Sequence, residues 1–68
     1  GIFHYVLVPV DRPRTYEQAR EVVPDAYLRE FPSGVKIQMG AFATEEDARA
    51  LVDRLQKQGI TAEIYQAP

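Results

Sequence analysis

The chain has no cysteine and no tryptophan, and its 68 residues include one histidine, His4, and one serine, Ser33. The absence of cysteine removes disulfides, thiol catalysis and thiolate metal sites together. With a single histidine and a single serine, neither a Ser-His-Asp hydrolase nor a zinc site is expected. Positive charge is scarce as well: eight Lys and Arg stand against ten Asp and Glu, for a net charge of −2. Phosphate-backbone binding needs clustered cations, so nucleic acid is not an expected partner. No apolar run approaches the ~20 residues of a membrane span, and no signal peptide is recognisable, so membrane insertion by this segment is not expected either. The length admits one domain over residues 1–68, with a modest core, because chains this short bury only about 60% of the surface they expose when unfolded. The start at Gly1 and the end at Pro68 are expected to be the limits of a piece excised from a larger protein.

What is present argues for a folded domain. Hydrophobic residues make up 46% of the chain, and seven side chains are aromatic. Residues 3–10 are rich in aromatic and β-branched types and predict a strand. Thr15 followed by Gln18 has capping-box spacing and opens a short helix that runs to Val23 and stops at Pro24. Residues 26–31 predict a second strand, Pro32-Ser33-Gly34 a turn, and the alternating residues 35–42 a third strand. A second helix is capped by Thr44 and has Glu45, Glu46 and Asp47 in its first turn, where negative charge suits the helix dipole. Its Ala48, Leu51, Val52 and Leu55 follow the spacing of a buried face, and Gly59 is a natural C-terminal cap. Residues 61–66 predict a fourth strand.

The order is βαββαβ, and the halves resemble each other at a constant offset of 29 residues. Thr15, Glu17, Ala19, Arg20 and Val23 fall on Thr44, Glu46, Ala48, Arg49 and Val52 without a gap. At the same offset Val6, Val8 and Val10 fall on Val35, Ile37 and Met39. Tandem halves of this kind predict an α+β, ferredoxin-like (RNP-like) fold, with a four-stranded antiparallel sheet and both helices on one face.

Strand side chains alternate between faces. If the six apolar residues just named face the helices, with Ala26, Leu28, Ala62 and Ile64 beside them, the opposite face carries Tyr5, Leu7, Pro9, Tyr27, Arg29, Phe31, Lys36, Gln38, Gly40, Glu63 and Tyr65. Two helices and four strands leave nothing to cover that second face. A contiguous group of exposed aromatics interleaved with amide and guanidinium donors suits a ligand with flat apolar patches and many hydroxyls, such as a sugar chain. A single nucleic-acid strand stacking on sheet aromatics fits the same description, and cross-strand tyrosines that merely stabilise the sheet are a plainer explanation. Arg29 or Lys36 could equally pair with Glu63 across strands.

Gln38-Met39-Gly40-Ala41-Phe42, followed by Ala43-Thr44-Glu45-Glu46-Asp47-Ala48, Leu51 and Leu55, resembles the signature of the SPOR (sporulation-related repeat) domain. In that family a strand ending Gln-x-Gly-Ser/Ala-Phe precedes a helix with Asn/Asp-Ala near its start and leucines along it, and a glycine follows, here Gly59. The length and element order agree along the whole chain. The resemblance implies a non-catalytic module that binds peptidoglycan glycan strands lacking stem peptides, collects at division septa on the periplasmic side of the cell envelope, and uses its bare sheet face. Gln38 is the position carried over most directly, whereas Gly40 and Phe42 are expected to be structural. The expected glycan-binding set is Gln38, Tyr5, Leu7, Tyr27, Arg29, Lys36 and Tyr65, with no catalytic residue, metal or cofactor.

Two other classes share this topology. An RRM-type module calls for a basic sheet and paired aromatics on the central strands, where this chain has Lys36, Gln38 and Gly40. A ferredoxin-like dimerisation domain would bury Tyr27 and Phe31 against a second copy. For the rest, His4 has no partner ligand in sequence reach, and the Glu45-Glu46-Asp47 run is accounted for by its place at a helix N-terminus.

Overall fold

A computed structural model describes all residues from Gly1 to Pro68. The elements are β1 (Phe3–Pro9), α1 (Thr15–Val22), β2 (Tyr27–Phe31), β3 (Gly34–Phe42), α2 (Glu45–Lys57) and β4 (Glu63–Ala67). The strands form one antiparallel sheet in the order β2-β3-β1-β4, the ferredoxin-like arrangement expected from the βαββαβ order.

Local chemistry explains α2 well. The Thr44 side chain accepts a hydrogen bond from the Asp47 backbone N–H at 3.2 Å, which satisfies one of the free donors of the first turn. At the other end Gly59 takes φ +80°, and the Ile60 and Gly59 N–H groups donate to Leu55 and Gln56 carbonyls at 2.9 and 3.0 Å. This pair of bonds closes the helix through a left-handed residue that glycine adopts without strain. The start of α1 differs from expectation. Its cap position is Arg14, no side chain caps it, and Thr15 is already helical, with its hydroxyl turned back to Asp11 at 3.4 Å. The Arg54 guanidinium donates to the Val22 carbonyl at 3.3 Å, which ties α2 to the end of α1.

The core between sheet and helices contains Val6, Val8, Ile37 and Met39 from the central strands against Ala19, Ala48, Leu51 and Leu55, with Ala62 and Ile64 packed at its margin. Three residues expected there are largely exposed: Val10, Leu28 at 48% and Val35 at 56%. Each has a positional cause. Strand β1 ends at Pro9, so Val10 leaves the sheet. Leu28 faces the helix side, opposite Ile37, but lies on the edge strand β2, where neither helix packs extensively. Val35 sits at the turn end of β3, next to the same uncovered edge.

A β-bulge breaks the central pairing. Val6 lies opposite Gly40 and Leu7 opposite Gln38, so Met39 is the extra residue. A bulge bends its strand, increases the local twist and shifts the alternation by one. Gly40 therefore turns to the helix side rather than to the bare face. A Cβ placed on it would meet two Phe42 ring carbons at 2.8 and 3.0 Å and Leu51 Cδ2 at 3.2 Å. The glycine makes room for Phe42 to pack beneath the start of α2.

Candidate functional site

The face away from the helices has its own apolar cluster, separate from the main core, built from Tyr5, Leu7 and Phe31 with Tyr65 and Ala67 against them. Register sets the rows. Tyr27, Gln38, Leu7 and Glu63 run across all four strands, Arg29, Lys36 and Pro9 form the next row, and Ala41, Tyr5 and Tyr65 lie on the other side of the first.

The position of Phe31 determines the shape of this face. Phe31 pairs with Gly34, whereas Tyr5 pairs with Ala41, seven residues further along β3. On a straight strand that separation is roughly 23 Å, at about 3.3 Å per residue. The two rings nevertheless stand 5.8 Å apart, edge to face, and Phe31 is also 5.7 Å from the Tyr65 ring. The β2–β3 hairpin must therefore curl over the sheet. Gly34, at φ +120°, forms the tight turn at its tip, and the bulge at Met39 adds bend at its root.

This curl corrects the picture of a bare, level platform. Leu7 is 1% exposed and forms the floor; Tyr5, at 9%, and Phe31, at 7%, are covered by each other's rings, and Gln38 is 9% exposed rather than a free amide. Tyr27 and Arg29 are exposed, and Tyr65 is half-buried. Lys36 reaches across β1 to Glu63 with a 3.2 Å ion pair that straps one end of the concavity. Of the two cations considered for Glu63, Lys36 is the one that pairs.

Arg29 occupies the centre of the remaining surface. Its Nη1 donates to Gln38 Oε1 at 2.8 Å, and its guanidinium carbon lies 5.1 Å from the centroids of both Tyr5 and Phe31. Rings hold the cation by its apolar faces, and an amide holds one of its edges. The structure thus brings all seven expected residues, and Phe31, onto one concave face: Tyr27, Arg29 and Tyr65 present surface, Gln38 and Tyr5 present edges, Lys36 forms the strap, and Leu7 is support. Phe3 was missed. It is exposed on the same face, with its ring 6.4 Å from Tyr5, and the alternation Phe3, Tyr5, Leu7 was the available signal. A separate half-open cleft, lined by Asp11, Arg12, Thr15, Gln18 and Thr61 among others, lies by the loops at the far end of β1 and contains none of these residues.

A family model described as SPOR domain matches residues 32–68, just over half of the chain, from the β2–β3 turn through β3, α2 and β4. No curated protein and no solved structure gives a significant match.

Proposed function

The chain belongs to the SPOR domain family, a family of peptidoglycan-binding modules of cell-envelope and division proteins, and from that premise we propose that it binds peptidoglycan glycan strands in the concavity opposite its helices. The observation that carries this reading is the union, on one face, of Gln38 from the matched segment with a guanidinium, three aromatic rings and an uncovered Tyr27. Ring faces suit the apolar sides of pyranose units, and the free amide N–H of Gln38 with the remaining guanidinium donors suits hydroxyl and N-acetyl oxygens. Tyr27, Arg29 and Tyr65 make direct contact, Gln38 and Tyr5 contribute edges, Lys36 and Glu63 close one end, and Leu7 acts only as the floor. A shallow concavity without a deep pocket fits micromolar affinity, about −8 kcal/mol. The role is binding without catalysis. The setting is the periplasmic side of the envelope, at sites where stem peptides have been stripped. No helix here is long and apolar enough to cross a membrane. A nucleic-acid strand is disfavoured because Arg29 and Lys36 are the cations of this face and Glu63 already neutralises one.

Co-sedimentation with purified sacculi, before and after an amidase removes stem peptides, tests the reading. Binding that rises after stripping, with chemical-shift changes from short glycan fragments centred on Tyr27, Arg29 and Tyr65, is the expected result. Folded protein that stays in the supernatant in both states refutes it.

A further inference from the structure

The charge distribution of the concavity is unbalanced in a way the fold does not need. Arg29 and Lys36 stand directly opposite each other on β2 and β3. Like charges at paired positions destabilise a sheet. Glu63 compensates Lys36, but no carboxylate lies within ion-pair distance of Arg29, and the two ion pairs of the chain are Lys36–Glu63 and Arg14–Glu17. In a chain of net charge −2, an unneutralised guanidinium is thus held at the centre of the candidate site, stacked on two rings and turned by Gln38. Only Nη1 is engaged there, so the guanidinium keeps further N–H donors for a planar, two-oxygen acceptor.

We propose that Arg29 reads a free carboxylate on the saccharide, so that the module selects an acidic glycan by charge. The proposal rests on the glycan-binding reading above and deepens it. In peptidoglycan, the carboxylates belonging to the glycan strand itself are the lactyl groups of its muramic acid units. Each is an anion where no peptide is attached and a neutral amide where one is. Arg29 therefore distinguishes stripped from substituted strands by the loss of the negative charge at the lactyl position itself, the peptide's own carboxylates lying further from the sugar, and steric exclusion of the peptide is not required. Gln38 is the positioning residue, fixing the guanidinium edge that faces the ligand.

The test separates charge from bulk. Amidase-stripped glycan is compared with the same material after its lactyl carboxylates are converted to methylamides, a change that removes the charge and adds one small group. The unmodified chain is expected to bind the acid form about tenfold more tightly, with a preference that shrinks as salt rises. Arg29→Gln, at an exposed position that leaves the ring cluster in place, is expected to bind both forms alike, and Arg29→Lys to recover part of the preference. Equal binding of acid and methylamide by the unmodified chain overturns the charge proposal and leaves glycan binding standing. A preference that survives in Arg29→Gln also overturns it, and failure to bind either form removes both readings.

Discussion

Replacing Phe31 with alanine is expected to destabilise the domain far more than replacing Leu28, although both lie on the five-residue edge strand β2. Phe31 is buried and touches Tyr5 and Tyr65 edge-on, whereas Leu28 is half exposed with no helix packed over it. Truncating a buried Phe costs about 3–5 kcal/mol. The cluster sits on a sheet face rather than in the central core, so the lower end, about 3 kcal/mol, is the appropriate value. For a domain of this size that corresponds to a fall in Tm of roughly 12–24 °C. Total stability of a chain this long is on the order of 3–10 kcal/mol, so Phe31→Ala lies near the limit of folding. Phe31→Leu keeps most of the apolar area and loses two aromatic edge contacts, for about 1–2 kcal/mol. Leu28→Ala should cost about 1 kcal/mol or less. Urea unfolding followed by far-ultraviolet circular dichroism gives the ranking, and the near-ultraviolet tyrosine signal reports whether Tyr5 and Tyr65 remain ordered. A Leu28 variant less stable than both Phe31 variants, or a Phe31→Leu variant indistinguishable from the parent in stability and tyrosine signal, would show that the hairpin does not curl and that the face is open.

Gln38→Ala is expected to lower stability by about 1 kcal/mol, through the lost bond to the Arg29 guanidinium, and to weaken glycan binding several-fold; denaturation and co-sedimentation measure the two effects separately. Gly40→Ala should cost about 1–3 kcal/mol, because its new methyl overlaps the Phe42 ring and forces it against Leu51, and the shift should appear in the Phe42 ring resonances. Thr44→Ala should remove about 1 kcal/mol, a drop of roughly 4–8 °C in Tm, whereas Thr15→Ala should be close to neutral because Thr15 caps nothing; equal effects in thermal melts would contradict the helix starts described here.

The parts of the fold that were legible in the sequence are those governed by local periodicity. In α2, the cap at Thr44, the apolar spacing through Ala48, Leu51 and Leu55, and the closing Gly59 all act within a few residues, and each behaves as its chemistry dictates. Strand facing was legible for the same reason: Tyr27, Arg29 and Phe31 share one side of β2, and Leu28 takes the other. Exposure was not legible, because it depends on what covers a face. Leu28 and Val35 point toward the helices and remain wet because the helices stop short of that edge, whereas Phe31 points away from them and is buried by rings from β1 and β4. The bulge escaped as well. Val35-Lys36-Ile37-Gln38-Met39-Gly40 alternates smoothly in sequence, and nothing local marks Met39 as unpaired; only the pairing with β1 reveals it. The candidate site was half legible: alternation places its members on one face and offers Lys36 as a partner for Glu63, but the Arg29–Gln38 bond and the stacking of Arg29 on Tyr5 and Phe31 appear only in the folded hairpin.

The glycine turned inward by the bulge divides the labour within a five-letter string. Gly40 and Phe42 belong to the scaffold, and Gln38 alone among the three faces away from the helices. A relative that kept Gly40 and Phe42 and exchanged the glutamine would still assemble the same shell, yet it would have nothing to steer its arginine. On the proposed reading, such a chain would keep the architecture and hold its glycan several-fold more weakly.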